Sequence, residues 1–371
     1  MKIVHLIDSA GVYGAEKVLL ALCVELRRLG VDASVLSARL PGETARAIDF
    51  ELRKVGVPVV SWPMGAGLNL RAMRAIHSWA VKERVDVLHS HGYKFNVLLA
   101  ATAGAAHIRK VTTVHGYTWS GHFDRMTIYN ALDRVSHFAF DRVVYVSPTL
   151  QRRSFVSTAR RSSIPNGIEL GALPVSGTLA SRTSGKGGAR LIAVGRLAPE
   201  KDYELLLQAV ALLTKRGVNI SLDIFGEGPE EARLRRIMAD ERLDHVNLRG
   251  YSDQILAELA SHDILVVSSR TEGMPIIIIE AMCLGMGIVA TRVGGIPSML
   301  ENYPRATLPK GRAASSLADA IQAQVASPRM LDVAEVDHIR AHFSSSMMAH
   351  RYMQVYEGIS RSSRSGLPAA E

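Results

Sequence analysis

Short apolar runs alternate along the chain with longer stretches in which apolar positions recur every three or four residues, and this alternation predicts an α/β fold. The first half offers the strand candidates KIVHLID, VDASVLS, VPVVS, DVLHSH, KVTTVHG and RVVYVS. The second half repeats the rhythm with ARLIAVG, NISLDIFG, HVNLRG, DILVVS and GIVAT. Between the first two runs, Val18, Leu22, Leu26 and Leu29 mark one face of a helix, and Gly30 stands where a C-terminal cap belongs.

Periodicity is lost between Gly171 and Gly188, where glycine and serine accumulate as in a flexible connection. The expected organisation is therefore two Rossmann-like, doubly wound domains, 1–170 and 189–345, joined by a linker over 171–188. Facing each other, they would enclose a cleft at the carboxyl ends of their strands. The pattern from Ser315 to Ile359 reads as helical, and residues 361–371 read as a solvated, disordered tail.

Composition narrows the classes. Hydrophobic residues at 47% and charged residues at 21% are those of a folding globular chain. Asp8 interrupts the first apolar run too early for a signal-peptide core, and no run is long enough to span a membrane. Cys23 and Cys283 sit in apolar helical segments without metal-ligand spacing, which suits buried thiols in the cytoplasm. Lys and Arg number 44 against 35 acidic residues, a net charge of +9 that favours anionic partners. Zinc-finger spacing, RNP-like strands and a continuous basic helix are all missing, so nucleic acid is not an expected partner.

The most informative stretch is Thr271 to Pro275, followed by four isoleucines, Glu280 and Gly285. Pro275 suits a first helical position, which would turn the amides around Gly273 to Ile277, those of Met274 and Ile276 among them, towards a phosphate or a sugar hydroxyl. Four β-branched residues in a row could also be read as a strand; Pro275, Glu280 and Gly285 favour a buried helix. Eight helical steps would separate Glu272 from Glu280 by about 12 Å. That is too far for a retaining hydrolase pair, which needs about 5 Å, so the two carboxylates would serve different parts of one ligand.

Arg196 and Lys201, in Gly195–Asp202, leave a strand and enter a helix, and they could converge on one anion in place of a divalent metal. The alternative is a solvated turn with Lys201 paired to Glu200 or Glu204. Gly11 and Gly14 lie between the first strand and helix, where glycine permits close approach of a ligand. His89, His91 and His115 close strand-like runs; without a carboxylate companion, hydrogen-bonded strand-end histidines are commoner than a metal site. Gln151–Arg161 holds four arginines around Phe155 and Val156, a solvated face or a contact with an anionic membrane.

Together these residues resemble the retaining GT-B glycosyltransferases of family 4, marked by a Glu-x7-Glu motif. The likeness runs from the glycine loop through TVHGYT, VYVS, IPNGIEL, AVGRLAPEKD, FGEGPE and LRGY to EGMPIIIIEAMCLG and TRVGGIP. The resemblance implies that Arg196 and Lys201 bind the diphosphate, Glu280 the ribose and Glu272 the donor sugar, with Gly273 to Ile276 around sugar and phosphate. It implies that His115 contacts the donor sugar, that Gly14 faces phosphates and acceptor, and that a C-terminal helix over 346–360, with Tyr352 and Tyr356, crosses back to the first domain. The sequence departs from the family pattern at Tyr13 before Gly14, at Met286 after Gly285, and at Ser298.

The expected activity is anomeric-retaining, metal-independent transfer of a sugar from a nucleotide-diphosphate sugar, UDP-linked ahead of GDP-linked, to a glycan or lipid-linked acceptor. Cell-surface polysaccharide or glycoconjugate assembly, at the inner face of the membrane, is the expected setting. No cofactor is expected beyond the donor itself. The alternatives are a GT-B sugar-nucleotide epimerase and a non-catalytic nucleotide-sugar-binding subunit.

Overall fold

The computed structural model describes residues 1–9, 11–43, 45–65, 67–102, 107–117, 125–172, 188–326 and 331–364. The chain divides into two compact units, Met1–Glu169 with Phe343–Glu371, and Leu170–His342. Most of the expected linker, residues 173–187, lies outside the described residues.

The first unit is built on seven strands: β1 (Lys2–Ile7), β2 (Asp32–Arg39), β3 (Val59–Pro63), β4 (Val87–Ser90), β5 (Arg109–Val114), β6 (Arg142–Tyr145) and β7 (Arg161–Ser163). They form one parallel sheet in the order β3-β2-β1-β4-β5-β6-β7. Helices α1 (Gly14–Arg28), α2 (Ala47–Lys54), α3 (Leu70–Lys82), α4 (Tyr93–Ala100), α5 (Arg125–Ser136) and α6 (Pro148–Arg152) connect them. Because helices cover both faces, β1 and β4 are buried almost throughout, which is why they read as continuous apolar runs. The edge strand β7 is three polar residues long and gave no apolar signal.

The second unit carries β8 (Ala189–Val194), β9 (Ile220–Phe225), β10 (Val246–Gly250), β11 (Ile264–Val267), β12 (Gly287–Ala290) and β13 (Ala306–Thr307), all parallel, in the order β10-β9-β8-β11-β12-β13. Its helices are α7 (Tyr203–Lys215), α8 (Glu231–Asp240), α9 (Ile255–Ser261), α10 (Ile276–Cys283), α11 (Ile296–Leu300), α12 (Ala314–Ala326) and α13 (Val333–His342). Leu206, Leu207, Val210 and Leu213 of α7 pack with Leu191, Leu222 and Ile224 of the strands and Leu317 and Ile321 of α12 into one core. Both sheets are doubly wound, with the order reversing between β1 and β4 and between β8 and β11, and loops at such points are where this architecture holds ligands.

Several local expectations shift. In α1 Val18, Leu22 and Leu26 are buried, but Leu29 is 40% exposed because it is the C-cap; Gly30 follows with φ +79°. The last helix, α14 (Ser345–Arg364), packs against α1 within the first unit and buries Tyr352 and Tyr356 completely. It continues to Arg364, so the first four residues of the expected tail are helical; the helix runs through Gly358, and no proline interrupts it. Residues 365–371 lie outside the described residues. Cys23 and Cys283 are free and buried.

Candidate functional site

In the second unit the loops after β8 and β11 meet. Gly195 leaves β8 with φ +155°, and a Cβ there would lie 3.3 Å from Lys201 Cε and 3.1 Å from the Tyr203 hydroxyl, so Lys201 lies along a backbone kept bare. Pro199–Lys201 form a 3₁₀ turn, closed by Asp202 in the left-handed region at φ +51°. Lys201 Nζ reaches Glu272 Oε1 at 2.7 Å, and Ser269 Oγ donates to the same oxygen at 2.7 Å. Arg196 turns instead to Glu200, at 3.1 Å, with its side chain 58% exposed. The two cations expected to share one anion are therefore each paired with a carboxylate here. Lys201 has neither of the local partners Glu200 or Glu204 that its sequence neighbourhood offers.

Glu272 is fixed from below by residues the sequence reading did not single out. A Cβ on Gly294 would stand 1.6 Å from the Glu272 carbonyl oxygen, and Gly294 has φ +55°, so only glycine fits under this loop. Gly295 N–H donates to Gly273 O at 2.9 Å, and Thr291 Oγ and Arg312 Nη1 both donate to Ser269 O at 2.7 Å. Ser268 Oγ donates to Lys201 O at 2.9 Å, tying the two loops by backbone as well as by charge. Asp202 accepts from both Arg270 and Arg312, which holds the turn behind Lys201. Gly-Gly before Ile-Pro was legible as a motif, but nothing in the sequence says what the glycines lie against.

Pro275 is the N-cap of α10 rather than its first helical residue: its ψ of 123° is extended, and the helix starts at Ile276. Met274 and Ile276 are buried, and Ile278 and Ile279 are fully buried, which is how tertiary contact overrides the poor helix propensity of the isoleucine run. Glu280, one turn on, is 9% exposed within this otherwise apolar helix.

In the first unit Gly14 opens α1. The Glu16 carboxylate accepts from the Tyr13 N–H at 2.9 Å, and the exposed Tyr13 ring folds over Gly11, where a Cβ would meet it at 2.7 Å. The departure from the family pattern at Tyr13 thus places an aromatic ring over the glycine loop. His115 follows β5 and ends a chain of imidazoles that the sequence reading did not assemble. His5 Nδ1 shares a hydrogen bond with His91 Nε2 at 2.9 Å, and His91 Nδ1 shares one with His115 Nε2 at 3.2 Å. Register alone places His5 beside His89. Burial holds the whole group neutral: it lowers His5 to about 3 and His115 to about 4, and pushes His89 and His91 well below the ordinary value with help from the neighbouring rings.

His5, His89 and His91 have ring nitrogens within 4.8 Å of one another, close enough to be tested as a metal site. Both nitrogens of His89 are already engaged, Nδ1 with the Tyr356 hydroxyl at 2.7 Å and Nε2 with Thr113 Oγ1 at 2.8 Å, so this ring would have to break a buried hydrogen bond to become a ligand.

Two Rossmann-like parallel-sheet units with polar loops at the strand ends are the architecture of GT-B glycosyltransferases. Residues 12–171 match the model of Glycosyltransferase Family 4, and residues 180–334 match that of Glycosyl transferases group 1; the chain carries these two GT-B glycosyltransferase domains in succession. The phosphatidylinositol N-acetylglucosaminyltransferase GPI3 subunit of Saccharomyces cerevisiae is 26% identical over 310 residues, covering 78% of this chain and 66% of that protein. The D-inositol 3-phosphate glycosyltransferase of Pseudarthrobacter chlorophenolicus is 31% identical over 191 residues, 48% of this chain and 46% of that protein. The chain thus spans at most about two-thirds of the length of these relatives. Anabaena Alr3699/HepE, solved in complex with UDP, shares the fold at a TM-score of 0.79 and 18% identity, over 96% of this chain and 100% of that one. No helix among the described residues is long and apolar enough to cross a membrane.

Proposed function

We propose that this glycosyltransferase moves a sugar from a nucleotide-diphosphate sugar, a UDP-sugar ahead of a GDP-sugar, to a glycan or lipid-linked acceptor, with retention at the anomeric carbon and no bound metal. The observation that carries the reading is the Lys201–Glu272 contact at the ends of β8 and β11, a cation and a carboxylate side by side where a doubly wound sheet binds its ligand. Lys201 and Arg196 would exchange their carboxylate partners for the diphosphate, and Glu272 would accept from a hydroxyl of the donor sugar. Glu280, farther along α10, takes the ribose, while the backbone of Gly273 to Ile276 follows sugar and phosphate. In the first unit His115 contacts the sugar and Gly14 leaves room for phosphates and acceptor.

The bond from the anomeric carbon to the phosphate oxygen breaks and its electron pair leaves with the diphosphate, whose charge the two cations neutralise. The acceptor hydroxyl forms the new bond from the same face, and its proton passes to the departing phosphate oxygen. The transition state has oxocarbenium character. Two relatives are named for substrates that carry phosphorylated inositol, and the net charge of +9 favours an acceptor that is itself anionic. Polysaccharide or glycoconjugate assembly is the setting we infer.

Thermal unfolding with UDP, GDP and ADP and their sugar conjugates, with and without chelator, tests the donor. A shift with UDP that the chelator leaves unchanged is expected. Failure of every nucleotide to shift the transition overturns the donor reading; donor binding without transfer to any acceptor favours a binding subunit, and conversion of a donor sugar in the absence of acceptor favours an epimerase.

A further inference from the structure

The first unit turns one helix inside out. α5 runs on into the 3₁₀ turn His137–Ala139, and along them Ile128, Leu132, Val135 and Phe138 are 49%, 41%, 66% and 50% exposed. Their spacings of four, three and three place them on one side. The buried side is polar: Asp133, Ser136 and His137 face inward, Asn96 donates to Asp133 at 2.6 Å, and His137 Nε2 lies 3.2 Å from the same carboxylate. A surface helix ordinarily does the reverse. Asp133 is the one acidic residue of α5, so the outward side carries no carboxylate.

Exposed arginines lie beside this stripe. Arg160 Nη1 donates to Phe138 O at 3.1 Å and Arg142 Nη1 donates to Ala159 O at 2.6 Å, which fastens the 152–160 segment to the end of the stripe. That segment exposes Arg152, Arg153 and Arg160, with Phe155 73% exposed between them. Among the described residues none of these three arginines pairs with a carboxylate. Exposed arginines elsewhere are divided: Arg28 pairs with Glu25, Arg216 with Asp319, Arg233 with Glu204 and Arg235 with Glu231, while Arg71, Arg74 and Arg84 lie in no ion pair among the described residues.

We propose that this face, Ile128, Leu132, Val135 and Phe138 with Arg152, Arg153 and Arg160, rests on an anionic lipid surface. The apolar stripe enters the headgroup boundary and the arginines meet lipid phosphates, the two signals that together hold a protein at a bilayer without a spanning segment. A second copy is a poor occupant, because an isologous contact would bring together two copies of a face that carries arginines and no carboxylate to meet them. The proposal goes beyond the transfer reaction and stands whether or not the donor assignment does.

The test is co-sedimentation of the full chain with phosphatidylcholine vesicles and with vesicles containing phosphatidylglycerol, at low and high salt, and it needs no substrate. Pelleting with the anionic vesicles alone is expected, weakened by salt. Val135→Ser with Phe138→Ser, and separately Arg152→Glu with Arg153→Glu, are each expected to lower binding on the order of tenfold or more with unfolding temperature unchanged. Should either pair disturb the fold, Phe155→Ser alone is expected to weaken pelleting. Absence of pelleting, equal pelleting on neutral vesicles, or wild-type pelleting by folded variants overturns the proposal. So does a concentration-dependent dimer that Val135→Ser with Phe138→Ser dissociates, which would assign the stripe to a second copy.

Discussion

Lys201 and Glu272 are 71 residues apart in sequence and 2.7 Å apart in space, joining the loop that leaves β8 to the loop that leaves β11. Both side chains are mostly buried, at 26% and 10% exposure, so their charges act in a medium less screened than water. A ligand that takes Lys201 must also satisfy Glu272, and a nucleotide-diphosphate sugar offers a phosphate for one and a hydroxyl for the other.

Lys201→Ala is therefore expected to lower turnover by about 10²–10³-fold, the usual effect of removing one preorganised charge from the site of a departing anion. Adding Arg196→Ala should abolish transfer while circular dichroism shows the fold intact. Turnover surviving in the folded double variant would remove both residues from the diphosphate site.

Gly294→Ala tests the support beneath Glu272. Its Cβ would overlap the Glu272 carbonyl oxygen at a φ of +55°, so the loop must move. Backbone strain of this kind costs about 1–3 kcal/mol before the clash is counted. The variant should unfold at lower temperature and bind donor more weakly than Gly295→Ala, whose position carries no positive φ. Equal behaviour of the two variants would show that the loop is not held as described.

Tyr356→Phe removes the hydroxyl that meets His89 Nδ1 in a fully buried site, leaving a polar atom without its partner. A loss of about 1–3 kcal/mol is expected in denaturant unfolding. A loss below a few tenths would mean that this hydrogen bond adds little to the packing of α14 and to its other tie, Tyr352 to Thr113.

The imidazole chain sets the response to acid. The folded-state values of His5 and His115, about 3 and about 4, lie below the ordinary 6.5, so between those limits the unfolded chain binds protons that the folded chain does not. The sign follows: the stabilising contribution is full above about pH 6.5 and declines as pH falls, by up to about 1.4 kcal/mol per pH unit for each such histidine. Urea midpoints at pH 7, 6 and 5 should fall in that order, and less steeply in His5→Leu. A midpoint independent of pH over this range would contradict the neutral, buried state of the cluster.

Much of this was legible beforehand because it is local. Alternating apolar runs specify buried parallel strands, Gly30 and Gly285 mark helix ends, and the Glu-x7-Glu stretch marks a polar loop entering an apolar helix. What was illegible depended on register and on distant backbone. His5 joins His91 only because β1 pairs with β4. Leu29 follows the helical period yet lies on the surface, since periodicity carries past the point where a helix caps. The outward stripe of α5 has the spacing of any amphipathic helix, and spacing cannot say which side faces the core.

The sequence by itself determined two doubly wound α/β halves and the residue types gathered at their strand ends, because periodicity and turn chemistry act over a few residues. Only the tertiary structure decided that Lys201 meets Glu272 rather than a neighbour, that Gly294 underlies that contact, and that α5 turns its polar side inward. Those are relations between segments far apart in the chain, selected by close packing and by the requirement that buried polar groups find partners.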